Sequence, residues 1–154
     1  MPGGRTAHSR FKIPLNPRDD SVCDIKANTI LSRLLIDTEL IIWDEAPMTH
    51  KYTFESLDRS LRDIMFSSDP NSNMKPFGGK TVLLGGDFCQ TLPITSQGSR
   101  QDCVSASINR SYLWNYCQVF TLSENMCLGK TEKDFAKWIL DVGNGIAKRK
   151  IVLK

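Results

Sequence analysis

Two adjacent carboxylates, Asp44 and Glu45, directly follow the apolar run 40–43. Acids beside a core strand are costly to bury unless something binds them. In nucleotide-hydrolysing folds the first acid of such a pair holds Mg²⁺, and the second prepares a water molecule for attack on phosphate. We therefore interpret Asp44 as a magnesium ligand that acts through water, and Glu45 as the catalytic residue that orients or deprotonates the attacking water. The alternative is a surface turn, but Pro47 favours the functional interpretation because it fixes both acids at a strand end.

A second candidate site follows the apolar run 81–84, where the sequence reads Gly85-Gly86-Asp87-Phe88-Cys89-Gln90. Paired glycines let the backbone approach a ligand closely, although they suit any tight turn as well. The acid pair favours a functional interpretation of this segment. If both motifs lie at one sheet edge, Gln90 is close enough to a strand end to contact the γ-phosphate of ATP. Gly86 and Asp87 are then candidate nucleotide-binding residues, and Gln90 distinguishes ATP from ADP.

The segment 78–81, Gly-Gly-Lys-Thr, has the ending of a phosphate-binding loop but not its pattern. G-x-x-x-x-G-K-[ST] requires glycine at position 74, where this chain has methionine. The context also differs, since a phosphate loop leaves a strand and opens a helix, whereas this segment precedes a strand. The sequence predicts a turn here.

The segment 4–12 interleaves basic, hydroxyl and aromatic residues. Cations and hydroxyls hold the phosphates of a single DNA strand, and an aromatic ring stacks on a base. The candidate DNA-contact residues are Arg5, Thr6, His8, Ser9 and Arg10. A solvated basic terminus is the alternative, and composition alone favours it.

Hydrophobic periodicity predicts strands that alternate with helices along the chain. The predicted strands are 40–43, 81–84 and 118–122; the predicted helices are 24–36, 53–65, 107–116 and 132–142, with a short element near 8–13 and a loop at 67–79. This order predicts an α/β fold with a parallel sheet covered on both faces. Ligands bind at the carboxyl ends of such strands, and Asp44, Glu45 and Asp87 are all predicted to lie there.

Bulk composition limits the classes of protein. A chain of 154 residues with 40% hydrophobic and 24% charged residues suits one globular domain, and a net charge of +3 neither requires nor opposes a nucleic-acid partner. Five cysteines without a C-x-x-C pair, and only two histidines, argue against a zinc site and favour reduced thiols. No apolar run reaches the length of a membrane span, so we expect no membrane partner.

Five blocks of sequence, in this order, resemble the petite-integration-frequency (Pif) DNA helicases, most strongly the eukaryotic branch that includes helicases of rolling-circle transposons. The blocks are GRTAHSRFKIPL, LIIWDEAPMTHKYTFESLDRSLRDIM, GGKTVLLGGDFCQTLPI, LSENMCL and FAKWILDVGNG. The resemblance implies a RecA-like (P-loop NTPase) parallel sheet flanked by helices. It implies a motor that uses ATP and Mg²⁺ to move 5′ to 3′ along single-stranded DNA and to unwind forked DNA. Family roles are DNA repair, recombination and telomere maintenance, and we expect a monomer in the nucleus or the mitochondrion.

Carried over residue by residue, the resemblance assigns Asp44 and Glu45 to the family's magnesium ligand and catalytic acid. Asp87 and Gln90 match its third motif, which senses the γ-phosphate. Thr6, His8 and Ser9 match a block that contacts the DNA backbone, which favours DNA contact over a solvated terminus for this segment.

The sequence also departs from the family pattern. The family has arginine where this chain has Cys89 and Cys127, and a thiol cannot neutralise phosphate charge as a guanidinium does. The resemblance places a phosphate loop before Gly4 and a second motor lobe beyond Lys154. We therefore expect an incomplete first motor lobe that is inactive alone, with a DNA-contact segment at 1–20, a partial RecA-like lobe at 21–130 and a C-terminal helix and tail at 131–154. The alternative is a catalytically dead remnant that only binds DNA or other partners.

Overall fold

The structure is a computed structural model, and it describes residues 5–88, 92–95, 98–122 and 133–146. The chain divides into two compact units, Met1–Cys117 and Gln118–Lys154. The first unit contains helices and strands in the order α1 (Ala7–Phe11), α2 (Ile30–Asp37), β1 (Leu40–Trp43), α3 (Lys51–Phe66), β2 (Thr81–Leu84) and α4 (Arg100–Ser105). The described part of the second unit contains one helix, α5 (Lys133–Gly143).

The two strands pair in parallel, with Leu40 opposite Thr81 and Trp43 opposite Leu84. Both strands begin and end where the hydrophobic pattern predicts. Parallel neighbours require a crossover connection, and here α3 lies in that connection. The predicted α/β class with a parallel sheet is confirmed.

Helix α3 supplies the centre of the core. His50 precedes it and accepts a hydrogen bond from the backbone N–H of Tyr52 at Nδ1, 3.2 Å away, which satisfies one of the helix's free donors. Phe54, Leu57 and Leu61 of this helix are completely buried. The Phe54 ring lies 4.6 Å from the ring of Trp43, so the helix packs against the end of β1.

The sheet is well covered on one face only, within the described residues. Ile41 and Trp43 are buried, whereas Leu40 and Ile42 are 48% and 52% exposed. Leu83, opposite Ile42 in the register, is 51% exposed on the same face. Successive side chains of a strand point to opposite faces, so this alternation marks one packed face and one open face. Of the two faces that the sequence predicts to be covered, one is packed and one is open within the described residues.

The first two helices are shorter than or shifted from their predicted ranges. Helix α2 begins at Ile30 rather than at residue 24, because Asn28 adopts a left-handed conformation (φ 61°) and Thr29 caps the helix. The Thr29 hydroxyl accepts from the backbone N–H of Ser32, and the Ser32 hydroxyl accepts from that of Thr29. This reciprocal pair is a strong start signal that the apolar spacing alone does not reveal.

The segments flanking β2 contain short 3₁₀ helices. The predicted loop 67–79 holds two, Pro70–Met74 and Pro76–Gly79, each of which begins with a proline. The predicted helix 107–116 is wrong and is replaced by Ile108–Arg110 and Tyr112–Tyr116. The reason is Ser111, whose extended backbone separates the two turns and whose hydroxyl accepts from the N–H of Leu113.

The second unit bears out one of two predictions. Residues 118–122 form no strand, because nothing in the described part of the chain pairs with them. Helix α5 matches the predicted 132–142 closely and ends at Gly143, and its Phe135 and Trp138 rings stack 6.0 Å apart.

The boundary predicted between residues 130 and 131 lies outside the described residues. Of the helices described, none has the length and apolar character needed to cross a membrane.

Candidate functional site

The two acids lie immediately beyond the end of β1, as the sequence predicts. Both side chains are exposed, and the Asp44 Oδ1 accepts a hydrogen bond from the backbone N–H of Glu45 at 3.0 Å. Glu45 has a left-handed backbone (φ 53°, ψ 38°) and precedes the 3₁₀ turn Ala46–Met48. A non-glycine residue held at positive φ costs of order 1–3 kcal/mol and requires support from its surroundings.

That support comes from the double glycine at the end of β2. The backbone N–H of Gly85 donates to the Trp43 carbonyl at 2.8 Å, and the Ala46 N–H donates to the Gly85 carbonyl, also at 2.8 Å. These two bonds continue the strand pairing past Asp44 and Glu45. The acid pair and the double glycine therefore form one structural unit at the carboxyl edge of the sheet.

Gly86 is required by this close approach. Its φ is +145°, and a Cβ added there would lie 2.3 Å from the Cδ of Pro47 and 3.3 Å from the N of Ala46. A side chain cannot fit in that space. The glycine thus packs the second motif against the turn that follows Glu45, so its role here is close packing of two backbone segments.

The donors at this edge fit Mg²⁺ better than a metal that needs a full protein cage. Asp44 offers carboxylate oxygens at the strand end, with its Oδ1 3.7 Å from the position of a Cβ on Gly85. Within the described residues no group of three or more His, Cys, Asp or Glu side chains is arranged to hold a metal. Mg²⁺ keeps several waters and is commonly bound by one or two carboxylates plus substrate phosphates. This donor set suits a metal that arrives with a nucleotide.

The remaining residues of the second motif are only partly described. Asp87 is exposed and follows the double glycine. Phe88 packs edge-on against Trp114, with ring centroids 5.8 Å apart, which anchors this loop to the turn Tyr112–Tyr116. Gln90 and Cys89 lie outside the described residues, as does Cys127.

The candidate DNA-contact residues lie on and around the short helix α1. Thr6 caps it, with its hydroxyl accepting from the N–H of Ser9 at 3.4 Å. Arg5, Thr6 and Ser9 are exposed, and His8 and Arg10 are half-buried. Thr6 thus has a structural part as a cap besides the predicted contact with DNA.

An open groove of about 780 Å³ runs from this helix to Asp44. Arg5, Thr6 and Arg10 line one side, and Asp44 lies in the same groove. The floor is apolar and is formed by residues of α2 and β1, namely Leu34, Leu35, Leu40, Ile41, Ile42 and Trp43. His8 and Ser9 do not line it. The structure therefore brings three of the five DNA-contact candidates into one groove with the predicted metal ligand.

The Gly-Gly-Lys-Thr segment is a turn, as predicted. Phe77 and Gly78 both have positive φ, and Lys80 leads directly into β2. The Lys80 ammonium donates to the carbonyl of Ile36 at the end of α2. This lysine ties a helix to the sheet and is already engaged within the fold.

Comparison with known proteins places this geometry in a family. The family model for PIF1-like helicases matches residues 1–151. The chain belongs to the PIF1-like helicase family. It is 28% identical over 142 residues to an ATP-dependent DNA helicase Pif1 of Psychrobacter sp. (strain PRwf-1), covering 90% of this chain and 20% of that protein. It is 30% identical over 104 residues to an ATP-dependent DNA helicase PIF4 of Trypanosoma brucei brucei, covering 65% and 12%.

The fold agrees with solved PIF1-like helicases. A Bacteroides Pif1 helicase in complex with ADP-AlF3 and single-stranded DNA matches with a TM-score of 0.72 and 26% identity, covering 95% of this chain and 34% of that one. The present chain thus corresponds to about a third of that structure and to a smaller share of the curated relatives. The RecA-like fold class, as part of a motor lobe, is confirmed.

This PIF1-like chain also contains a buried polar network that sequence patterns did not suggest. Asp58 of α3 is fully buried and accepts hydrogen bonds from the backbone N–H of Phe77 and from the Tyr112 hydroxyl at 2.6 Å. It also forms an ion pair with Arg62, whose Nε lies 2.8 Å from the Asp58 Oδ2. One turn earlier, Glu55 accepts from the Ser111 hydroxyl at 2.7 Å. The network joins α3 to the turns before and after β2. No spacing rule marks it, since both acids lie on a helix that looks like an ordinary amphipathic one.

Proposed function

We propose that residues 1–154 form part of the first motor lobe of an ATP-dependent DNA helicase that moves 5′ to 3′ along single-stranded DNA. In this lobe Asp44 holds Mg²⁺ through water and Glu45 positions the water that attacks the γ-phosphate. Gly86 and Asp87 lie beside the nucleotide, and Gln90 senses its γ-phosphate. Arg5, Thr6, His8, Ser9 and Arg10 contact the DNA strand.

One observation carries the proposal. In a chain of the PIF1-like helicase family, the acid pair and the double-glycine bend meet at the carboxyl edge of two parallel strands, joined by the hydrogen bond from Ala46 N to Gly85 O. That edge is where α/β folds bind their ligands. The groove from Arg5 and Arg10 to Asp44 then offers a route by which bound DNA influences the metal site.

Partners and setting follow from the same proposal. The matched Bacteroides structure contains single-stranded DNA, and another solved structure concerns unwinding of forked DNA by two coordinating Pif1 helicases. We assign single-stranded and forked DNA to this protein as ligands, with ATP and Mg²⁺ as cofactors. We further propose that the protein acts in DNA repair, recombination and telomere maintenance. We also propose that it is a monomer located in the nucleus or the mitochondrion.

Residues 1–154 alone do not turn over ATP under this proposal. Residues 1–154 contain no G-x-x-x-x-G-K-[ST] segment to grip the β- and γ-phosphates, and Cys89 and Cys127 supply no positive charge to stabilise the transferred phosphoryl group. An ATPase assay with Mg²⁺ and single-stranded DNA, comparing wild type with Glu45→Gln, should give negligible rates for both. Robust hydrolysis that the substitution abolishes would contradict this statement.

Fluorescence titration with a labelled single-stranded oligonucleotide tests the DNA-binding part. The double variant Arg5→Gln/Arg10→Gln should bind more weakly than wild type, and its salt dependence should be shallower by about 1.4, since each phosphate contact on a single strand contributes roughly 0.7 to the slope. The control Arg18→Gln/Arg33→Gln removes the same charge from exposed positions outside the groove. If both double variants lose the same DNA affinity, the loss reflects overall charge, and this result would contradict direct contact of Arg5 and Arg10 with DNA.

A second candidate function is a DNA-binding remnant without motor chemistry. The observation that favours it is the pair of cysteines at positions 89 and 127, where the family pattern has arginine. Both candidates bind DNA, so they differ only at the acid pair. A lobe that retains its motor role binds a divalent metal with nucleotide at Asp44, and a remnant does not.

A further inference from the structure

A second cavity lies apart from the groove that contains Asp44, and it is strongly basic. It has a volume of about 840 Å³ and is lined by Lys51, Arg100, Gln101, Val104, Ser105 and Arg110, here called the basic cleft. None of these residues lines the groove between α1 and the acid pair. The cleft brings together residues from three separate elements, since Lys51 begins α3, Arg100 begins α4, and Arg110 ends a 3₁₀ turn.

Backbone hydrogen bonds hold the segments that carry Lys51 and Arg110 close together. The N–H of Lys51 donates to the Ala106 carbonyl at 2.7 Å, which fixes the start of α3 against the end of α4. The N–H of Arg110 donates to the Ser107 carbonyl at 3.0 Å, which closes the next turn. Lys51 and Arg110 therefore flank the same short stretch of chain, residues 106–107.

Within the described residues, no acidic side chain pairs with the cations of the cleft. Lys51, Arg100 and Arg110 form no ion pair there, and no acidic residue is among the lining residues. Asp102 of α4 is turned to its own helix start, where its Oδ2 accepts from the N–H and the hydroxyl of Ser99. The first turn of the 16-residue α3 contains no acid, so the positive end of its dipole adds to the field at Lys51.

The chemistry of the lining identifies the ligand class. Two guanidinium groups and an ammonium supply charge-assisted donors, while Gln101 and Ser105 add neutral ones. No aromatic ring is among the lining residues, and the nearby Tyr52 ring is engaged by the Lys51 ammonium, 5.4 Å from its centroid. Such a set recognises the sugar–phosphate backbone and is insensitive to base sequence.

We propose that the basic cleft binds the phosphate backbone of a nucleic-acid strand, as a second anchor separate from the α1 groove. The proposal rests on the proposed function, because it extends the DNA path on the same lobe. Binding here is electrostatic and releases counterions, so it weakens steeply with salt. The start of α3 follows the turn after Glu45, so a strand held in the cleft lies next to the chain segment that leaves the acid pair.

The test is salt-dependent fluorescence anisotropy with the full chain and a labelled oligothymidylate of about 16 nucleotides, the upper end of the range one single-strand-binding fold occupies. The variant is Lys51→Gln/Arg100→Gln/Arg110→Gln. The matched control is Arg18→Gln/Lys26→Gln/Arg33→Gln, which removes the same charge from exposed positions outside both cavities. We expect the cleft variant to lose at least about tenfold in affinity at low salt, with a slope shallower by ~2, and the control to retain most of its affinity.

Each remaining outcome has a defined meaning. If wild type binds, Arg5→Gln/Arg10→Gln weakens it and the cleft variant equals its control, the basic cleft proposal is overturned and the proposed function stands. If wild type does not bind even at low salt, DNA binding by this lobe is overturned together with the cleft. If polyglutamate displaces the oligonucleotide as well as unlabelled oligonucleotide does, the cleft is a surface for acidic protein and the proposal is again overturned.

Thermal melts check that each variant is folded. If the triple variant unfolds, Arg100→Gln/Arg110→Gln replaces it in the binding test, because this double variant changes exposed side chains only.

Discussion

The ring of Phe11 stacks on the indole of Trp43, with centroids 5.9 Å apart and an interplanar angle of 11°. Phe11 ends the helix that carries the DNA-contact candidates, and Trp43 is the residue immediately before Asp44. On its other side Trp43 meets Phe54 of α3 at 4.6 Å. The indole is therefore held between α1 and α3, and it lies between the predicted DNA-contact helix and the predicted metal ligand.

Phe11→Ala should destabilise the protein by roughly 3–5 kcal/mol, as large-to-small changes of buried aromatic residues do. The ring is 8% exposed, and its removal leaves a void against Trp43. Denaturant unfolding measures the loss, and Phe66→Ala is the control, because Phe66 is 50% exposed at the end of α3 and should cost far less. Equal losses for the two variants would mean that the Phe11–Trp43 stack does not hold α1 in place.

Gly86→Ala should disrupt the junction between the two motifs. The new methyl group would meet the Cδ of Pro47 at 2.3 Å, and the φ of +145° is itself unfavourable for alanine by about 1–3 kcal/mol. We expect a marked drop in the thermal midpoint. Gly143→Ala is the control, since nothing lies within 4 Å of an added Cβ and Gly143 has no positive φ. An unchanged midpoint for Gly86→Ala would contradict the close packing of Gly86 on Pro47.

We expect His50 to make the folded protein less stable in mild acid. Burial, followed by the charge of Lys51, lowers the pKa of His50, while Glu55 opposes the shift. The folded state thus favours the neutral ring, whose Nδ1 caps α3, and the unfolded state takes up the proton more readily. The contribution to stability is present above the unfolded pKa of about 6.5 and is lost as pH falls below it. His50→Asn keeps an acceptor at the cap but cannot titrate, so its melting temperature should fall less between neutral and mildly acidic pH.

We expect Tyr112 to make the folded protein less stable at high pH. Burial, the hydrogen bond to Asp58 and the negative charges of Asp58 and Glu55 raise the pKa of Tyr112 well above its ordinary value of about 10, while Arg62 opposes the shift. Its contribution to stability is complete below pH 10 and is lost as pH rises toward the folded pKa. Tyr112→Phe removes a hydrogen bond to a charged group, which costs roughly 1.5–3 kcal/mol, and should remove part of the alkaline decline. A variant whose unfolding free energy declines as steeply as that of wild type above pH 10 would contradict this assignment.

The sequence was most informative where one physical rule decides the structure. Residues 40–43 and 81–84 are apolar, short and followed by polar or glycine residues, and both strands lie where this pattern predicts. The meeting of Asp44 with Gly85 followed from strand direction alone, because parallel strands end at the same edge.

Prediction failed where several weak preferences compete. Residues 107–116 have helical spacing, but the serines at 107 and 111 have extended backbones that divide the segment. Asp58 looks like a solvent-facing residue of α3, and only the distant Tyr112 and Phe77 reveal why it is buried. The basic cleft likewise joins residues 51, 100 and 110, whose proximity depends on backbone contacts that no local pattern encodes.

Paramagnetic Mn²⁺, used with ATP in place of Mg²⁺, tests the central claim that Asp44 presents a metal–nucleotide site at the sheet edge. In amide NMR spectra of the wild type, line broadening should concentrate at Glu45, Gly85 and Gly86, and Asp44→Asn should abolish it. Asp63→Asn, an exposed acid of α3, serves as control and should leave the broadening unchanged. Broadening that persists in Asp44→Asn, or that centres on other acids, would contradict the account.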